Sequence, residues 1–150
     1  MSGNLKAECR HAAQEILGGV AGVPVDNIDV VGTCVWSFIS NSGGVTKRHN
    51  EHDSKLQERI GELIIGVAKN PAQANQIVQA VAKRLNYDLE ICSSTNVDPE
   101  HLEQALKYLW QAQSGALVGA MDGDNYRKVG YLVTAGVSCR REAQQSDLRM

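Results

Sequence analysis

The sequence lacks any apolar run that approaches the ~20 residues of a membrane-spanning helix. Its first residues, Met-Ser-Gly-Asn-Leu-Lys-Ala-Glu, contain no apolar signal core, and Met1-Ser2 lacks the glycine that N-myristoylation requires. From these absences we expect a cytoplasmic protein without a membrane partner. They do not distinguish a cellular from a viral source.

Signatures of several enzyme classes are also missing. The chain has no P-loop, no G-x-G-x-x-G after a strand, no H-E-x-x-H and no G-x-S-x-G. It also has no internal repeat and no low-complexity segment. These absences favour a protein that is not an enzyme, but they do not exclude catalysis.

The four cysteines are widely spread and form no C-x-x-C pair; they are Cys9, Cys34, Cys92 and Cys139. A disulfide scaffold would be denser in cysteine, and a zinc finger would pair its ligands. We therefore expect reduced, mostly buried cysteines. Cys34 lies close to Trp36, but no local base is present to make it a nucleophile.

Composition predicts one globular domain over residues 1–150. The chain is 43% apolar and 21% charged, which is ordinary for a protein with a hydrophobic core. Its formal net charge of −2 provides no global attraction to nucleic acid or to an anionic membrane.

Two consecutive helices are predicted over residues 53–85, joined at Asn70-Pro71. Pro71 ends one helix and suits the first position of the next, with Asn70 as its N-cap. Ser54 and Gln57 fit a capping box at the start of the first helix, with Asp53 as the competing N-cap. Apolar stripes on a 3.6-residue period continue through both helices.

The remaining segments are mostly helical by pattern. Helices are predicted over residues 4–17 and from Asp98-Pro99 to about Met121, before a polar tail from Gln144. Residues 27–40 favour a helix over a strand, and residues 126–143 fit either. The fold class is therefore an all-α bundle of about five to six helices, with short extended segments near residues 30–39 and 87–92 as the alternative. Its predicted core contains Ile60, Ile64, Ile77, Val81, Leu106 and Leu109.

Histidine and acidic residues offer weak candidates for a chemical site. His49, His52 and Asp53 lie in an H-x-x-H-D stretch that could supply a metal ligand or an acid–base group. A third ligand is not close in sequence, and Asp122-Gly123-Asp124-Asn125 lacks the rest of a calcium loop. We expect no bound metal and no cofactor.

Basic doublets are the candidate nucleic-acid contacts. If the fold gathered several of them on one face, they would form a phosphate-binding stripe. The alternative is that they favour helix ends electrostatically. They are Lys47-Arg48, Lys83-Arg84, Arg127-Lys128 and Arg140-Arg141.

Self-association is predicted through the helix expected to contain Gly115 and Gly119. Two glycines four residues apart would allow another backbone to approach closely, within the chain or from a second copy. Trp110 and Leu117 lie off the main apolar stripe and suggest a second contact face.

Two functions follow from these patterns. The first is a non-enzymatic helical subunit that works by assembly, such as a small subunit of a nucleoprotein complex or a viral or filament structural protein. The alternative is a small hydrolase or nuclease that uses His49 or His52.

Overall fold

A computed structural model describes residues 4–42, 51–90 and 96–149. These residues form α-helices and no strands, which confirms the predicted all-α class. The helices are α1 (Leu5–Leu17), α2 (Val25–Ser42), α3 (Glu51–Ile65), α4 (Pro71–Glu90), α5 (Pro99–Gln113) and α6 (Gly123–Arg149).

Helix α6 occupies the centre of the bundle and packs against all five other helices. Its valines 129, 133 and 137 recur every fourth residue and are completely or almost completely buried. Ile16, Ile64 and Leu85 bring α1, α3 and α4 into the same core cluster. The core therefore surrounds α6 rather than the helix pair at residues 53–85.

Two glycines allow α3 and α6 to cross closely. A Cβ atom on Gly61 would overlap the backbone of Tyr126, and one on Gly130 would overlap the backbone of Gln57. Gly130 weakens the helical pattern in the sequence, but the missing side chain is what allows the two backbones to meet. This crossing fixes the position of Gln57 beside α6.

Residues 30–39 are helical, as predicted, and the extended alternative is wrong there and at residues 87–90. Residues 30–39 belong to α2, and α4 continues through residues 87–90, while residues 91–92 lie outside the described ranges. Leu85 and Leu89 keep the helical spacing of the buried face, and Asp88 between them is buried and bound by Arg140. Tertiary contacts therefore outweigh the alternation of Tyr87, Leu89 and Ile91.

Helix α5 ends at Gln113, not near Met121 as predicted. Gly115 has φ +74°, and its N–H donates to the carbonyl of Ala112 at 3.1 Å, while the N–H of Ala116 donates to Gln111 at 3.0 Å. This pair of bonds is a Schellman motif, which ends a helix with glycine in the left-handed region. Gly119, with φ +66°, lies in the connection to α6.

Polar residues cap three of the helices. Asn70 Oδ1 accepts from the Gln73 N–H at 2.9 Å and Asp98 Oδ1 from the Glu100 N–H at 2.8 Å, which confirms both predicted N-caps. Asp122 Oδ1 accepts from the Asn125 N–H at 2.9 Å, so this acidic turn starts α6. Helix α6 then runs to Arg149, and the predicted polar tail is helical up to that residue.

Burial confirms most of the predicted core. Ile60, Ile64, Ile77, Val81 and Leu109 are buried. Leu106 is only partly buried, because it lines the surface groove on α5 that also contains the exposed Trp110.

Cys139 departs from the expectation of reduced cysteines. Cys9 and Cys34 are free and buried, whereas Cys139 is disulfide-bonded. Disulfides are rare in cytosolic proteins, so this bond does not support the cytoplasmic prediction. In the described part of the chain, no helix is both long and apolar enough to cross a membrane.

Candidate functional site

A cleft of about 350 Å³ opens where α3, α5 and α6 meet. The first half of α6 contributes acidic, basic and aromatic side chains, α5 contributes polar residues, and α3 contributes one glutamine. The lining residues are Gln57, His101, Gln104, Ala105, Asp124, Arg127, Lys128 and Tyr131. Polar groups from three helices converge here on a concave surface that also contains apolar lining, which makes the cleft the first candidate for a ligand site.

Gln57 is a buried polar residue with an incomplete set of hydrogen bonds. Its Oε1 accepts from the Thr134 hydroxyl at 2.7 Å, while its Nε2 has no hydrogen-bond partner. The sequence pattern with Ser54 suggests a capping box, but α3 begins at Glu51, so Gln57 lies in the second turn and only 1% of its surface is exposed. The capping prediction is therefore wrong, and this lining residue was missed as a candidate.

Tyr131 ties the start of α5 to α6. Its hydroxyl donates to the Asp98 carbonyl at 3.1 Å and accepts from the Asp98 N–H. Burial raises the pKa of Tyr131 well above the ordinary tyrosine value, so its hydroxyl stays protonated near neutral pH. Tyr131 thus provides a fixed wall for the cleft rather than an acid–base group.

His101 lies beside this tyrosine. The two rings meet edge to face with centroids 5.7 Å apart, and His101 Nδ1 lies 3.8 Å from Asp98 Oδ2. The contacts hold the imidazole at the N-terminal end of α5, next to the cleft.

Two cationic side chains line the cleft on α6. Arg127 is 3.6 Å from Glu58 and also pairs with Asp124. The Lys128 Nζ lies 5.5 Å from the centroid of the Tyr108 ring, a cation–π distance. These residues form the one basic doublet that the described part of the chain places beside the cleft.

The other described doublets lie mainly beside α1. Arg140 Nη1 is 3.4 Å from Glu15 and its Nη2 is 2.9 Å from Asp88, while Arg84 donates to the Glu15 carbonyl. Arg141 lies 3.5 Å from Glu8. The structure therefore brings Arg84 and Arg140 together at Glu15.

Arg127 and Arg140 are about 20 Å apart along the axis of α6, at 1.5 Å per residue. Each of them pairs with carboxylates of this chain. Lys83 is exposed on α4, and Lys47-Arg48 lies outside the described residues. The prediction that the doublets contact nucleic acid stays a prediction.

The predicted histidine site falls largely outside what the structure describes. His49 lies outside the described residues. His52 is the second residue of α3, and the description there covers the backbone. Asp53 is buried inside α3 rather than capping it. Among the described residues, no group of three or more histidine, cysteine and acidic side chains is placed to hold a metal ion.

The outer face of α5 is the second candidate, as an interaction surface. Trp110 is 73% exposed, and a shallow groove beside it contains Glu103, Leu106, Lys107 and Gln111. We call these five residues the Trp110 face. Glu103 Oε1 and Lys107 Nζ are 4.0 Å apart within it.

The structure separates the residues that the sequence grouped for self-association. Gly115 and Gly119 lie beyond the end of α5, so the proposed small-residue strip on a helix is wrong. Leu117 is buried and therefore does not extend the Trp110 face. Of the four predicted residues, only Trp110 lies on an exposed apolar surface.

Comparison with models of known protein families, with curated protein sequences and with solved structures finds no match for this chain. The case for function therefore depends on the two surfaces described above.

Proposed function

We propose that this protein is a non-enzymatic assembly subunit that pairs with a second copy of itself through the Trp110 face. The observation that carries the proposal is the 73% exposure of Trp110 in the last turn of α5. An exposed tryptophan leaves a large apolar area in water, and tryptophan is enriched among the residues that dominate binding energy at interfaces.

The neighbouring charges favour a second copy as the partner. Glu103 and Lys107 are one helical turn apart on the same face as Trp110. In an antiparallel pair of α5 helices, a twofold axis passing between these two residues would place Glu103 of each copy opposite Lys107 of the other. The same surface would then be complementary to itself, as an isologous dimer requires.

The contacts of the arginines also favour protein assembly over nucleic-acid binding. Arg140 and Arg141 already pair with carboxylates of the same chain, so contacts with a nucleic-acid backbone would have to displace those partners. The exposed ring of Trp110 can be buried against a partner without displacing a carboxylate. Protein purified without nuclease should therefore show an absorbance ratio at 260 and 280 nm typical of protein alone.

The first test is the concentration dependence of mass, measured by size-exclusion chromatography with light scattering. The native protein should form dimers, and Trp110→Ala should raise the dissociation constant by ~10-fold or more, as expected for an interface hot spot. Tyr87→Ala is the matched control, because Tyr87 is also an exposed aromatic residue, at 68%, on another helix. It should leave the dissociation constant unchanged.

A charge exchange then tests the antiparallel geometry. Glu103→Lys or Lys107→Glu alone would place like charges opposite each other and weaken the dimer, whereas the double exchange should restore most of the affinity. Native protein that stays monomeric at high concentration, or a dimer insensitive to Trp110→Ala, would contradict the proposal.

A further inference from the structure

We propose that the cleft between α3, α5 and α6 binds a small molecule through one oxyanion group, a carboxylate or a phosphate. Gln57, Arg127 and Lys128 would contact the oxyanion. This site is separate from the Trp110 face, and its occupancy does not depend on dimerisation.

The unpaired amide hydrogens of Gln57 are the first reason for a ligand. Because Oε1 is bound to the Thr134 hydroxyl, Nε2 is left as a buried donor without an acceptor. A buried donor without a partner destabilises the folded protein, because the donor has lost its hydrogen bond to water without replacement. The Gln57 side chain lines the cleft, where an oxygen atom of a ligand would remove this deficit.

The charge of the nearby side chains selects an anion. Arg127 and Lys128 provide two positive charges, and the cleft lies at the N-terminal end of α6, where the helix dipole favours negative charge. Asp124 now pairs with Arg127, but its side chain is 73% exposed. An incoming oxyanion can therefore replace Asp124 without burying an unpaired carboxylate.

The size of the cleft limits the ligand to a small molecule. A volume of about 350 Å³ is near the lower end for small-molecule sites. Ala105 and the rings of His101 and Tyr131 also line the cleft and provide apolar surface for the body of such a ligand.

The experiment compares two anionic probes with a cation of similar shape at constant ionic strength. Inorganic phosphate, benzoate and benzylammonium would each be titrated into isotope-labelled protein while amide resonances are followed by NMR. Phosphate or benzoate should shift the Gln57 side-chain amide resonances saturably, and benzylammonium should not. A response to benzoate alone would assign the site to carboxylates, and a response to phosphate alone to phosphates.

Variants distinguish a built site from weak surface binding. Gln57→Leu and Lys128→Ala should each weaken binding of the responding anion by ~10-fold, while Asp124→Asn should strengthen it by removing one of the two carboxylates that pair with Arg127. Lys83→Ala removes an exposed lysine on α4 and should have no effect. Lys128→Ala and Asp124→Asn keep the test valid if Gln57→Leu fails to fold.

Three outcomes would overturn the proposal. They are no response to either anion, a stronger response to benzylammonium, or a response to the anions that is unaffected by Lys128→Ala and Asp124→Asn. Because none of these measurements reports on the dimer, the result is independent of the assembly proposal.

Discussion

At the scale of single residues, the glycines of the α3–α6 crossing constrain the sequence most tightly. Gly130 faces the backbone of Gln57, and backbone cannot move aside as a flexible side chain can. Glycine in a helix costs about 1 kcal/mol relative to alanine in an isolated helix. The close crossing reverses that preference at this position.

We therefore expect Gly130→Ala to destabilise the protein by at least ~1–3 kcal/mol, the usual cost of overpacking. Urea denaturation would measure the free energy of unfolding. Gly123→Ala is the matched control in the same helix, because a Cβ there would lie 3.6 Å from Glu58 Oε1 and make only an ordinary contact. Equal stability of the two variants would contradict the crossing geometry.

Sequence patterns identify buried apolar residues better than they identify the residues that contact them. The spacing of Ile60 and Ile64 is enough to predict burial. In contrast, Gly130 looks like a weakness in a helix, and Gln57 looks like a capping residue. Their roles depend on a contact between residues 73 positions apart, which local spacing does not reveal.

At the scale of elements, the end of α5 shows how one backbone conformation sets the available surface. The Schellman motif at Gly115 stops the helix before Leu117, which then turns into the core. Trp110 remains near the end of the exposed helical face. The extent of the Trp110 face is therefore determined by where the helix stops.

Gly115→Ala should destabilise the protein by ~1–2 kcal/mol, because alanine resists the left-handed conformation. Steric overlap is not the cause, since a Cβ atom at Gly115 would be 3.7 Å from the nearest atom outside its own turn, Gln79 Nε2. Gly115→Asn should cost less, because asparagine is the other residue found at this helix-end position. Thermal unfolding of the two variants checks the order, and a larger loss with asparagine would contradict it.

Two helix starts that contain proline are easier to predict than the end of α5. Asn70-Pro71 and Asp98-Pro99 combine a capping side chain with proline, and each pair marks a helix start correctly. Gly115 and Gly119 also fit a small-residue helix face, so spacing alone favoured the wrong alternative. The conformations of the two glycines resolve this ambiguity, and the sequence does not display them.

At the scale of the whole molecule, a buried cysteine thiol and a buried tyrosine hydroxyl predict a loss of stability at alkaline pH. Burial raises the pKa of Cys9 from 9.0 to about 11, and burial, with a smaller effect from Asp122, raises the pKa of Tyr108 from 10.0 to about 12. The neutral forms favour the folded state. Their contribution is therefore complete below pH 9.0 and is lost as the pH rises through about 11 and then about 12.

Urea midpoints measured from neutral pH to pH 11 should fall mainly above pH 9.0, the pKa of an unperturbed thiol. Cys9→Ala should make this decline shallower, because one of the groups that favour the neutral folded state is removed. A decline of the same steepness in Cys9→Ala would assign the alkaline sensitivity to other groups.

The central position of α6 has a consequence for how the chain is made. The ribosome synthesises α1 to α5 before α6, yet these five helices bury part of their apolar surface only when α6 packs against them. Glu15, for example, meets Arg140 across 125 positions of sequence. During synthesis the first five helices therefore expose apolar surface until α6 has left the exit tunnel, and this interval is when the nascent chain is most open to chaperones and to aggregation.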